Sequence, residues 1–262
     1  MPARDDMARL LLIPNTLDLG CEPVALGEVL PAGVLAQAAR LEYWIAEDAK
    51  TARAFLKRVS ALVPLLRPLQ ELHIQELPRP AKGGHGSSAV RVAGGEAGAL
   101  RALLEPLTQG HDVGLISEAG LPAVADPGSA VVALAHRLGA TVLPLSGPNS
   151  MVLALAASGL QGQSFAFVGY LPQDAAARAA RLRELQARSR REGQTQLLIE
   201  TPYRNAAVMA ALVEHLDAET RLSVACGLSL PQGWCRTATV AQWRSALPVF
   251  EKGLPAVFAF LA

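Results

Sequence analysis

The segment Ser117-Glu118-Ala119-Gly120-Leu121-Pro122-Ala123-Val124-Ala125-Asp126-Pro127-Gly128 combines groups that bind a ligand with groups that shape backbone around one. Gly120 and Gly128 let the chain approach a bound group closely and adopt positive φ. Pro122 and Pro127 stiffen the segment. Free backbone amides ahead of a helix opening at Ser129 favour an anionic or polar ligand group. Open α/β sheets bind ligands off the carboxyl ends of their strands, which is where such a loop stands. The alternative is a long strand-to-helix connection that binds nothing. A second cluster, Ser146-Gly147-Pro148-Asn149, is a tight turn followed by a small-residue helix from Ser150.

Both clusters need strands to present them. Residues 10–13 are a short apolar run ended by Pro14-Asn15, which reads as a buried first strand delivering a loop to a sheet edge. Residues 41–46 form a second such run, ending in Glu47-Asp48, and 51–59 read as a helix with Ala54, Phe55 and Leu56 inside and Lys57 and Arg58 outside. Leu100, Leu103, Leu104 and Leu107 share one helical face. Strand 113–116, loop 117–128, helix 129–138 and strand 141–145 then give an α/β rhythm that implies parallel pairing with a right-handed crossover. Beyond 150 the pattern predicts strands at 165–168, 196–200, 221–226, 235–240 and 256–261, with helices at 174–192 and 204–216. Their less regular alternation predicts a mixed sheet. The expected architecture is therefore two α/β domains, 1–146 with a parallel sheet and 147–262 with a mixed one.

Composition narrows the function. The chain has 262 residues, 51% of them hydrophobic, enough for an ordinary core. A net charge of +1 gives no general pull toward nucleic acid or anionic membrane, though it leaves room for a local basic patch. Cys21, Cys226 and Cys235 lack zinc-knuckle or redox spacing, and no metal site is expected. No apolar run reaches the ~20 residues of a membrane span, and 10–13 is too short for a signal-peptide core. The expectation is a cytoplasmic protein without a membrane partner. The glycine-rich stretch 82–88 lacks the spacing of a P-loop or a dinucleotide fingerprint and reads as a loop.

The motifs as a set resemble a known family. Ser117-Glu118-Ala119-Gly120-Leu121-Pro122 with Asp126-Pro127-Gly128 is similar to the SDAGTP…DPG signature of the tetrapyrrole methylase superfamily. Pro144-Leu145-Ser146-Gly147-Pro148-Asn149-Ser150, Ala157-Ser158-Gly159-Leu160, Gly169-Tyr170-Leu171-Pro172, Glu200-Thr201-Pro202-Tyr203-Arg204 and Ala46-Glu47-Asp48-Ala49-Lys50 resemble further segments of it, in order. The branch most resembled is the ribosomal RNA small-subunit methyltransferase I family, which methylates a cytidine 2′-hydroxyl of 16S rRNA. The resemblance implies S-adenosylmethionine (SAM) bound in a cleft between two α/β domains, an RNA substrate and a homodimer. Carried over residue by residue, it assigns SAM contacts to Ser117, Glu118, Ala119 and Gly120, to Asp126, Pro127 and Gly128, and to Ser146, Gly147, Pro148, Asn149 and Ser150. Glu200, Thr201, Pro202 and Tyr203 would add contacts near the adenosine. The chain also departs from the pattern. Pro14-Asn15-Thr16-Leu17-Asp18 replaces the family's TPIGN turn, Ala49 and Lys50 replace its threonine and arginine, and Glu118 its aspartate. The chain ends on an apolar run where that branch continues into a small helical extension.

Methyl transfer is an in-line displacement, so the protein must above all align acceptor and methyl. A hydroxyl acceptor also needs a proton acceptor, for which Glu47, Asp48, His73 and Glu118 are candidates. The alternative for Glu47-Asp48 is a helix cap, and for His73 a surface histidine. Arg178, Arg181, Arg183, Arg188, Arg190 and Arg191 fall on one helix, as a solvated face or as a phosphate-binding surface. Three readings stay open: methylation of RNA, methylation of a small molecule such as a tetrapyrrole, and SAM binding without catalysis.

Overall fold

The computed structural model describes residues 8–18, 20–78 and 94–262, so the glycine-rich stretch 82–88 lies outside the described residues. The chain divides into two compact units. One holds the described residues up to Pro148 except 20–23, and the other holds Gly20–Pro23 with Asn149–Ala262. The expected division after Ser146 thus differs by two residues, because Gly147 and Pro148 are packed into the first unit. A Cβ on Gly147 would lie 2.2 Å from Cβ of Pro14.

The first unit carries a five-stranded sheet of order β3-β2-β4-β1-β5. Its strands are β1 (Arg9–Ile13), β2 (Tyr43–Ala46), β3 (His73–Glu76), β4 (Val113–Ile116) and β5 (Thr141–Pro144). All four pairings are parallel, so every carboxyl end lies along one edge. Strands β4 and β5 are parallel as the rhythm implies, but they do not pair with each other, because β1 lies between them. Leu10, Leu11 and Ile13 are all 0% exposed. A strand apolar on both faces belongs in the middle of a parallel sheet.

Helices cover both faces. Leu11 and Ile13 pack with α1 (Leu26–Val29), α2 (Ala32–Arg40) and α3 (Ala49–Ser60). Leu10 and Leu115 pack with α4 (Gly94–Leu103), α5 (Glu105–Thr108) and α6 (Ser129–Arg137). The buried stripe of α3 is Ala52, Phe55, Leu56 and Val59. That 3.6-residue spacing leaves Ala54 exposed, against the expectation from sequence. Arg58 is also not simply outside, since its guanidinium turns back onto the buried Asp18.

The second unit holds a mixed sheet of order β6-β7-β10-β8-β9. The strands are β6 (Phe165–Phe167), β7 (Thr195–Glu200), β8 (Arg221–Cys226), β9 (Trp234–Thr239) and β10 (Ala256–Leu261). Only β6 and β7 pair in parallel; β10 is antiparallel to β7 and β8, and β9 to β8. One face packs on α7 (Ser150–Ser158) through Met151, Ala154 and Leu155. Helix α8 (Ala175–Glu192) packs on β7, β10 and α9 (Asn205–His215), and α10 (Val240–Ser245) packs on α9 and β9. Among the described residues no helix is long and apolar enough to cross a membrane.

Candidate functional site

Strands β2, β4 and β1 are neighbours, yet their outgoing chains diverge. Those from β1 and β2 lead to helices on one face of the sheet, and that from β4 leads to α6 on the other. Diverging connections open a crevice at the carboxyl edge, the usual ligand position in such sheets. The loop 117–128 leaves β4 at that point.

Three turns meet there. The Asn15 amide donates to the Gly120 carbonyl at 2.8 Å, and the Gly120 amide donates to the Thr16 carbonyl at 3.3 Å. The Asn15 side chain donates from Nδ2 to the carbonyls of Ser117 (3.3 Å) and Glu118 (2.9 Å), while its Oδ1 accepts from the Thr16 amide at 2.9 Å. Gly147 sits against Pro14, and the Pro148 carbonyl faces Gly120. Asn15 and Thr16 are buried. The turn is anchored from below by Asp18, which accepts from the Thr16 hydroxyl, the Val24 amide (2.9 Å) and Arg58 Nη2 (3.1 Å). Arg58 also donates to the Val24 carbonyl at 2.6 Å and to the Thr16 hydroxyl at 3.3 Å. Burial opposes the Asp18 charge, but the bonds from Thr16, Val24 and Arg58 outweigh it and hold the carboxyl below its ordinary range.

The loop itself is held in unusual backbone. Gly120 (φ 67°) and Gly128 (φ 126°) use the glycine region, and so do Ala123 and Ala125, both at φ 65°. Two alanines with positive φ so close together mark stored strain, which tends to accompany ligand sites. Those alanines bracket Val124, and Asp126 follows directly. The Asp126 carboxyl is pushed up to about 7 by burial and by the nearby charges of Glu47 and Glu118. Glu47 is raised too, by burial first and then by Glu118 and Asp48, while the bond from the Glu118 amide works the other way. The crevice therefore gathers Glu47, Glu118 and Asp126, and burial with neighbouring negative charge holds Glu47 and Asp126 above the ordinary carboxyl range.

The other sequence candidates separate. Asp48 caps α3, its Oδ1 accepting from the Thr51 amide at 2.7 Å. Glu47 Oε2 accepts from the Glu118 amide at 3.2 Å. His73 pairs with Tyr43, the first residue of β2, and stacks on its ring at 5.0 Å. That puts it at the amino edge of the sheet, about 10 Å of strand away from the carboxyl edge. The first unit thus brings together Glu47, Ser117–Gly120, Asp126–Gly128 and Ser146–Pro148, and leaves His73 out. In the second unit Asn149 caps α7 through a bond from the Val152 amide at 3.0 Å, with Ser150 opening the helix. Glu200 ends β7 buried, accepting from the Thr201 amide (2.8 Å) and hydroxyl (3.1 Å), with Arg204 3.3 Å from its other oxygen. Pro202 and Tyr203 form a 3-10 turn, and Tyr203 is 80% exposed.

Sequence reasoning did not single out Asn15, Asp18 or Arg58. The signal was an Asn and an Asp shortly after a buried strand, in a segment too polar to be covered unless bonded.

Residues 34–242 match the model of the tetrapyrrole (corrin/porphyrin) methylases, about four-fifths of the chain. The chain belongs to that family. Among curated proteins it is 38% identical over 146 residues to the ribosomal RNA small subunit methyltransferase I of Mesorhizobium japonicum, covering 56% of this chain and 48% of that one. It is 40% identical over 121 residues to the protein of the same name from Mycobacterium bovis, covering 46% and 41%. The chain thus spans about half the length of the curated relatives it matches. The crystal structure of the methyltransferase CobJ shares the fold, with a TM-score of 0.53 at 17% identity over 97% of this chain and 93% of that one. This two-unit methylase fold agrees with the architecture read from the sequence.

Proposed function

We propose that this chain is a SAM-dependent methyltransferase that transfers a methyl group to an RNA hydroxyl, the 2′-hydroxyl of a 16S rRNA cytidine. The observation that carries this reading is the 38% identity to relatives named ribosomal RNA small subunit methyltransferase I, joined to the motif loops that meet at one sheet edge. SAM supplies an electrophilic methyl on a cationic sulfonium. The residues of the first unit suited to hold it are Ser117–Gly120, Asp126–Gly128 and Ser146–Pro148; the family resemblance assigns Asn149, Ser150 and Glu200–Tyr203 to SAM as well. Glu118 and Asp126 complement a positive charge. Of the proton acceptors expected from sequence Glu118 suits the role best, and Asp126, expected only as a SAM contact, joins it. Asp48 is engaged in a cap, and a carboxyl near 7 matches general-base work at neutral pH. The same reading carries a homodimer and a cytoplasmic location with it.

A small-molecule acceptor is the second reading, and one observation favours it. The arginines of α8 are largely engaged within the chain: Arg181 with Glu184, Arg188 and Arg191 with Glu192, Arg190 with Asp217, and Arg178 with the Pro172 and Gln173 carbonyls. Calorimetry with SAM and S-adenosylhomocysteine, followed by transfer of labelled methyl to small ribosomal subunits from a strain lacking the gene, decides between them. Label in 16S rRNA supports the RNA reading. Binding with label only in tetrapyrroles supports the second, binding without transfer leaves a SAM-binding protein, and no SAM binding refutes all three.

A further inference from the structure

The Ser117 carbonyl and the Glu118 amide belong to one peptide unit. That unit is gripped on both sides. Its carbonyl accepts from Asn15 Nδ2 at 3.3 Å, and its N–H donates to Glu47 Oε2 at 3.2 Å. The Asn15 amide cannot be turned over, because its Oδ1 would then face the carbonyls of Ser117 and Glu118 while its NH2 met the Thr16 N–H. The two grips come from the ends of β1 and β2, the strands flanking β4 on either side. A peptide unit held only by its own chain can rotate at modest cost, whereas one held at both poles cannot without losing two bonds.

We propose that Glu47 is a positioning residue, not the proton acceptor: with Asn15 it clamps the Ser117–Glu118 peptide and so fixes the loop that carries Glu118 toward the ligand. Two features of the cluster agree. The carboxylate oxygen that accepts from the Glu118 amide faces protein, and Asn15 is 4% exposed, as befits a structural bond and not a group that meets solvent or substrate. The role needs an acceptor oxygen at residue 47, not a negative charge. The carboxamide of a glutamine offers that oxygen; a methyl group does not.

This inference rests on the SAM-site reading, so its test has one readout that does not depend on SAM. Hydrogen exchange of the Glu118 amide is measured in wild type, Glu47→Gln, Glu47→Ala and Asn15→Ala, alongside SAM affinity by calorimetry and a thermal melt of each. The expected result is exchange at least tenfold faster in Glu47→Ala and Asn15→Ala, with Glu47→Gln recovering most of the protection. SAM affinity should follow the same order, falling about tenfold in Glu47→Ala and largely recovering in Glu47→Gln. Equal losses of affinity and turnover in Glu47→Gln and Glu47→Ala would show that the charge matters and overturn the proposal. Unchanged exchange in Glu47→Ala would also overturn it. If Glu47→Ala fails to fold, the comparison of Glu47→Gln with Asn15→Ala decides on the same criteria. If wild type does not bind SAM, the functional reading fails while the exchange result still judges the clamp.

Discussion

Replacing Arg58 with methionine tests the anchor beneath the motif loop. Arg58 spans three acceptors: Asp18, the Val24 carbonyl and the Thr16 hydroxyl. Methionine keeps much of the aliphatic packing and removes the charge and the donors. Stripping the partner from a fully buried ion pair costs about 3–5 kcal/mol. Here Asp18 is 7% exposed but Arg58 is 28%, so solvent screens part of the interaction. Asp18 also keeps its bonds from Thr16 and Val24. About 2 kcal/mol is the expected loss, roughly 4–8 °C in Tm at this chain length. The deficit should depend on pH. In wild type the carboxyl lies below its ordinary range, so its stabilisation is present above about pH 4 and disappears as pH falls through the folded value. In Arg58→Met burial is less opposed and the folded value rises, so falling pH costs the variant less stability than it costs wild type. The gap between the two is widest above about pH 5 and narrows toward pH 3. Urea melts followed by circular dichroism at pH 7, 5 and 3.5 measure it. A gap below about 0.5 kcal/mol at pH 7, or one that widens in acid, would refute the account. Arg58→Lys should recover only part, since an ammonium cannot reproduce the planar fork.

The remaining expectations concern the crevice and its supports. Gly147→Ala puts a Cβ 2.2 Å from Pro14, so it should lower Tm and weaken SAM binding together; an unchanged melt would show that the Pro14 turn yields freely. Because the Asp126 carboxyl lies near 7, it gains charge as pH rises from 6 to 8, and affinity for cationic SAM should rise with it. One charge at about 8 Å and an effective dielectric of about 40 gives about 1 kcal/mol, roughly fivefold. Titration calorimetry of Asp126→Asn should show that slope flattened. Asp48→Ala removes the α3 cap and should cost about 1 kcal/mol in a denaturant melt while SAM affinity stays within threefold of wild type. His73→Ala should leave methyl transfer intact, and a hundredfold loss would return His73 to the reaction.

The sheet order was the least legible part of the fold. Periodicity identified β1 as buried and β4-α6-β5 as a parallel crossover, but which strand stands between β4 and β5 depends on contacts far apart in sequence. The run 10–13 held a clue in being apolar at successive positions, the mark of a strand covered on both faces. In the site, the loop 117–128 was legible because glycine, proline and acid fall in a spacing with local meaning. The capping role of Asp48 was legible as one of two alternatives. The place of His73 was not legible, because a histidine in a short polar segment carries no sign of which end of a strand it occupies; only the register with Tyr43 reveals that.

The altered turn after β1 invites a reading as decay, since the glycine-bearing pattern of the family is gone. Its chemistry argues otherwise. A decaying turn loses constraints, yet this one makes two backbone bonds and two side-chain bonds to the motif loop and is itself tied by an ion pair. Pro14 also fills the space that only a glycine at 147 leaves open, so the two positions fit as a pair. Buried polar groups are tolerated when each is bonded, and a half-satisfied set is worse than an apolar one. The Asn15-Thr16-Asp18-Arg58 set is bonded throughout, which requires that residues 15, 16, 18 and 58 suit one another at once. Drift at one position would break the others. In the first unit the loop 117–120 is therefore held by residues 15 and 16, which Asp18 and Arg58 hold in turn.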